Sequence, residues 1–68
     1  MKIEEVHIEA IKFLQSHDGC CDWHEEGLTV EISESLVDLC IMGYAISNLE
    51  TETWLFTLKG DTYVSKYL

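Results

Sequence analysis

The sequence predicts a small α+β domain in the order helix, short strand, helix, β-hairpin, helix. Three observations carry that expectation. Apolar residues recur at helical steps near the start, two glycine-marked breaks divide the chain, and a polar gap separates two short β-rich runs in its second half. The chain has 68 residues, 47% of them hydrophobic, which supports one compact core and makes a single domain over 1–68 the expected organisation. It lacks proline and has only 4 glycines, unlike a flexible linker.

Ile3 to Gln15 forms the first expected helix, because Ile3, Val6, Ala10, Ile11 and Leu14 fall on one face. Glu4, Glu5 and Glu9 sit near its start, where carboxylates suit the positive end of the helix dipole. Ser16 to Gly19 reads as its exit, with Gly19 as the left-handed cap. Leu28-Thr29-Val30-Glu31-Ile32 alternates apolar and polar residues, as a short strand with one buried face does. Ser33 is then the expected N-cap of a helix through Met42, closed by Gly43, with Leu36, Val37, Cys40 and Ile41 as its apolar stripe. Tyr44-Ala45-Ile46 and Thr53-Trp54-Leu55-Phe56 read as a hairpin joined by the polar loop Ser47 to Glu52. Thr57 caps a last helix, for which Tyr63, Val64, Tyr67 and Leu68 supply contacts. A rival arrangement makes Leu28 to Ile32 a full third strand beside the hairpin.

The stretch LVDLCIMGYAI…WLFTLKGDTYVSKYL resembles the second half of a winged-helix domain of the MarR or PadR type. In such domains the recognition helix ends in a leucine followed by Gly-aromatic, a two-stranded wing comes next, and Thr-x-x-Gly opens another helix. Leu39, Gly43, Tyr44, Thr57 and Gly60 occupy those places. The resemblance implies a winged-helix-like fold. It also implies a further helix before the recognition helix, for which only Cys20 to Gly27 is available, room for about two turns.

Charge separates this chain from the usual work of that scaffold. Asp and Glu number 13 against 4 lysines and no arginine, a net charge of −9. Nucleic-acid binding rests on Lys and Arg displacing counterions at phosphates, and the expected recognition helix carries Glu34 and Asp38 in place of any basic residue. DNA, RNA and anionic lipid should all be repelled. No apolar run approaches the ~20 residues of a membrane span, and MKIEEVHIEA puts acids where a signal peptide needs a basic end. A soluble, cytoplasmic protein is the expectation, with its 3 cysteines as thiols.

The segment HDGCCDWH offers two imidazoles and two thiols, His17, Cys20, Cys21 and His24, an acceptable zinc set by chemistry. The spacing argues against it. Adjacent cysteines on an extended segment point apart, and all four ligands would have to come from one short loop. A Cys-His nucleophile from Cys20 or Cys21 with His24 meets a different obstacle: Asp18, Asp22 and Glu25 raise a thiol's pKa when catalysis needs it lowered. Neither a catalytic residue nor a metal or other cofactor is assigned on these grounds.

What remains is a surface for polypeptide. Asp22, Glu25 and Glu26 follow the cysteines, Glu34 and Asp38 lie on the second helix, and Glu50 and Glu52 tip the hairpin. Together with Trp23 these are the candidate partner-binding residues, the acids for a basic surface and the indole as anchor or as a lid on the core. The expected partner is a larger protein that handles nucleic acid or serves in defence, with the acids standing in for phosphates and the chain itself a monomer or homodimer. Small acidic proteins of this kind are often carried by phages and mobile elements as inhibitors, by analogy. An adaptor subunit or transcriptional regulator of winged-helix type is the alternative.

Overall fold

The computed structural model describes residues 2–68 and has three helices and one antiparallel sheet. Helix α1 (Glu5–Ser16) is followed by strand β1 (Cys20–Asp22) and helix α2 (Val30–Ile41). The hairpin β2 (Ala45–Asn48) and β3 (Thr53–Phe56) leads to α3 (Leu58–Tyr67). The element order is therefore the expected one. The sheet order is β1-β3-β2, so β3 is central and pairs with Cys20–Asp22 on one side and with Ala45–Asn48 on the other.

Local chemistry accounts for most boundaries. At the end of α1, Asp18 N–H donates to the Gln15 carbonyl and Gly19 N–H to that of Leu14, which satisfies two of the carbonyls a helix leaves over. The residue in the left-handed cap position is Asp18, at φ 59°, with Gly19 following at 81°. Helix α2 ends the same way: Gly43 sits at φ 86°, its N–H donates to Cys40, and Tyr44 N–H donates to Leu39. Thr57 caps α3, its Oγ1 accepting from Gly60 N–H at 3.1 Å and donating to the Gly43 carbonyl at 2.6 Å.

Several expectations need correction. Leu28 to Ile32 is not a strand. Thr29, and not Ser33, is the N-cap of α2, its side chain accepting from Ile32 N–H at 3.2 Å. Once that bond forms, Val30-Glu31-Ile32 continues as the first turn of the helix, and its apolar alternation is only the local appearance of a 3.6 period. The third strand is instead Cys20–Asp22, and Cys20 to Gly27 holds that strand and a loop where the resemblance implied a helix. The earlier start also rotates the buried stripe of α2. Ser35, Leu36 and Leu39 face inward, whereas Val37 and Ile41 are 47% and 69% exposed. In α1 the buried set is His7, Ala10, Ile11 and Leu14, with Val6 on the outside. Of the contacts expected from α3, Tyr63 and Val64 pack against the core while Tyr67 and Leu68 remain exposed.

The core lies where α1 and α2 meet the inner face of the sheet. Ile11, Leu14, Leu36, Leu39 and Cys21 are buried there with Ala10, Ala45 and Trp54. His7 is the polar member of this group, at 2% exposure. Its Nδ1 accepts from Glu4 N–H at 2.9 Å, which places the ring proton on Nε2, and Nε2 donates to Asp38 Oδ2 at 3.1 Å. One buried imidazole thus ties the start of α1 to the middle of α2, with both ring nitrogens satisfied. Among the described residues, no helix is long and apolar enough to cross a membrane.

Candidate functional site: an acidic end of the sheet

Pairing decides where the acids go. Asp22, Thr53 and Asn48 stand side by side across the three strands, so the loop after β1 and the β2–β3 turn leave from the same end of the sheet. Trp23 and His24 are thereby brought against Glu52, and the loop carrying Asp22, Glu25 and Glu26 leaves the sheet at the same end as the turn carrying Glu50 and Glu52, although all of α2 and β2 lies between them in sequence. Trp23 N–H donates to the Glu52 carbonyl at 2.8 Å and locks the two segments together.

The loop is then shaped by its own side chains. Asp22 Oδ1 accepts from His24 N–H at 2.8 Å, a tight local turn that aspartate forms readily. His24 Nε2 lies 3.1 Å from Glu52 Oε2 on the surface. His17 reaches back from the end of α1, with Nε2 at 3.1 Å from Glu25 Oε1 and Nδ1 at 2.9 Å from the Phe13 carbonyl. Both its nitrogens face acceptors, an arrangement that favours imidazolium. The His17 pKa is accordingly raised above 6.5, chiefly by the bond to the Phe13 carbonyl and further by Glu25, against a smaller lowering effect of burial. This tie therefore supports the loop fully below 6.5 and weakens as pH rises through the folded value.

The candidate residues divide by what the fold asks of them. Asp22, Glu26, Glu50 and Glu52 are exposed at the sheet end, and Glu25 is half-exposed through its contact with His17. Trp23 is not a free-standing anchor. Its indole packs against the core and lies 6.1 Å from the Trp54 ring at a 47° tilt. Among the described residues the indole N–H of each of these two tryptophans is buried without a partner, which carries a polar cost. Trp23 thus serves as a lid. Glu34 projects from α2, well apart from the turn in sequence, and Asp38 is engaged with His7. Among the described residues every ion pair is between a histidine and a carboxylate. The four lysines lie on or beside α1 and α3, and Lys59 donates to the Met42 carbonyl at 2.9 Å. The acidic end therefore keeps its negative charge.

The same geometry places the metal and nucleophile candidates. Cys20 and Cys21 alternate across β1, one exposed and one buried, as successive strand residues must. His17 and His24 turn away towards Glu25 and Glu52. Among the described residues, no group of three or more His, Cys, Asp or Glu side chains is arranged to hold a metal ion. The Cys21 thiol is pushed up to about 11 by burial, and further by the charges of Glu25 and Asp22 and by Cys20. Burial also raises Cys40. Neither is prepared as a thiolate.

Sequence reasoning missed two features. One is His7, whose partner lies 31 residues away. The other is the outward face of α2, where Val30, Val37 and Ile41 stand exposed. No family model, no curated protein and no solved structure matches this chain.

Proposed function

We propose that this chain is a small acidic protein-binding module, or inhibitor, that docks on a basic surface of a larger protein. The observation that carries the reading is that the loop with Asp22, Glu25 and Glu26 and the turn with Glu50 and Glu52 leave one end of the sheet and are joined there through Trp23 and Glu52, with no lysine in either segment. Concentrating like charge costs folding stability, and a cationic partner would repay it by both attraction and steering. A basic surface of this kind is what nucleic-acid-handling and defence proteins present to phosphates, so the acids would compete as phosphate mimics. The cytosol is the setting we propose, since Cys20, Cys21 and Cys40 are free thiols and Cys20 is exposed.

The alternative, a winged-helix regulator, needs basic groups on α2 to meet phosphates, and the helix VEISESLVDLCI has none. An adaptor subunit would lean on apolar contact more than on charge. Affinity capture from the source cell at graded salt separates these readings. A charge-driven partner should dissociate steeply as salt rises, because exposed charges are screened beyond ~8 Å at physiological ionic strength. Glu26→Gln, Glu50→Gln and Glu52→Gln combined should weaken it at low salt. A partner indifferent to both would defeat the proposal, as would a shift of labelled duplex by the purified protein.

A further inference from the structure

We infer that the outward face of α2 receives a basic amphipathic helix of the partner protein. This rests on the protein-docking reading above and specifies one of its contacts. Val30, Val37 and Ile41 are 71%, 47% and 69% exposed and recur at spacings of seven and four, so they line up along one stripe of the helix. The stripe extends about 16 Å at 1.5 Å per residue. Single exposed apolar residues are ordinary, but three aligned on one helix face form a strip, interrupted only by Glu34. All three are β-branched, the side chains that lose rotamer freedom in a helix. At solvent-facing positions they are therefore unfavourable twice over, in helix propensity and in hydration. They add little to the core, because Leu36, Leu39 and Ser35 already fill the inner face.

Charge decides what covers the strip. Glu34 stands within it, between Val30 and Val37, and Glu31 and Asp38 border one side. A second copy would set these carboxylates against another chain of net charge −9, and a nucleic acid or anionic lipid would be repelled in the same way. A helix with its own narrow apolar ridge and lysines or arginines beside it satisfies both the strip and its acidic border. In the winged-helix resemblance α2 is the recognition helix. Its outward face has the residues to meet a protein helix in place of a DNA groove.

The test uses two synthetic peptides of identical Leu, Ala and Lys content, one with leucines at helical spacing and one scrambled. Each is titrated into isotope-labelled protein at physiological salt and followed by NMR. The amphipathic peptide should shift amides of Val30 to Ile41 and bind about tenfold tighter than the scrambled one, a difference of about 1.4 kcal/mol. Val37→Ser with Ile41→Ser should remove that advantage while the protein's own spectrum elsewhere stays in place. Glu26→Gln, Glu50→Gln and Glu52→Gln should leave it largely intact. Equal binding of both peptides, binding unchanged by the serine variants, or no binding at all would overturn the inference. So would sedimentation as a dimer that buries α2. If both peptides instead shift only the Asp22 and Glu50 segments, the acidic-surface reading stands and the helix-docking inference falls.

Discussion

The two ends of the sheet are built to opposite rules. At the Phe56 end the chain closes on itself. Thr57 joins the Gly43 carbonyl to Gly60 N–H, Lys59 reaches the Met42 carbonyl, and Tyr44 packs edge-on to Tyr63 with ring centroids 5.4 Å apart. Lys59 also lies 4.5 Å over the Tyr44 ring, so its charge is used within the fold. At the Thr53 end the only partners for carboxylates among the described residues are His17 and His24, and Glu26 and Glu50 stand in solvent. Thr57, Lys59 and Tyr44 at the first end each have a structural use. Several at the second have none inside this chain, and surplus charge held in place by a rigid sheet is what an interaction surface requires.

The sharpest way to break this contrast is at Gly60. A Cβ built there would come within 2.0 Å of the Tyr44 carbonyl oxygen and 3.0 Å of the Phe56 ring, so backbone would have to move. Gly60→Ala should cost about 3 kcal/mol, as a severe case of overpacking. A domain this size has only roughly 3–10 kcal/mol in total, so the urea midpoint should fall drastically. A variant as stable as the parent would show that α3 is not clamped at this end. Next in size, Thr57→Ala removes both the cap of α3 and the bond to Gly43, and should cost about 1–2 kcal/mol in the same measurement.

Alkaline pH probes the core beneath β1. The unfolded chain ionises Cys21 near its ordinary 9.0, whereas the folded chain keeps the proton to about 11. Between those values the unfolded state is increasingly favoured, so stability contributed by the buried neutral thiol should be present below 9 and decline as pH rises towards 11. Cys40, raised in the same direction, adds to the slope. Cys21→Ala should flatten the dependence of urea midpoint on pH, and an unchanged slope would remove Cys21 as its source. Smallest, and opposite in sign, is the effect at the acidic end. Glu26→Gln with Glu50→Gln should raise stability by no more than about 0.5 kcal/mol, and less in high salt, since relief of like-charge repulsion is screened. A clear loss of stability would mean that these acids serve the fold after all.

What could be read from the sequence was what is decided within a few residues. Gly43-Tyr44 marked the end of α2 and the start of β2, and Thr57 with Gly60 marked the start of α3 directly from a strand. The same locality misled at Leu28 to Ile32, where five alternating residues fit a strand as well as the entry to a helix. Only the Thr29 cap tells them apart. β1 is 3 residues long and exists because β3 offers it an edge, so no pattern of its own announces it. The buried His7–Asp38 bond spans two helices and was equally hidden.

By itself the sequence settled the charge, the absence of arginine, and the succession of three helices with a hairpin before the last, because composition and short-range capping need no distant partner. Tertiary structure alone decided that the acidic loop after β1 meets the β2–β3 turn, that Trp23 is a lid, and that Val37 and Ile41 face outward. These depend on strand register and on the rotation of a packed helix. Both are fixed by contacts between residues that the chain brings together only when it folds.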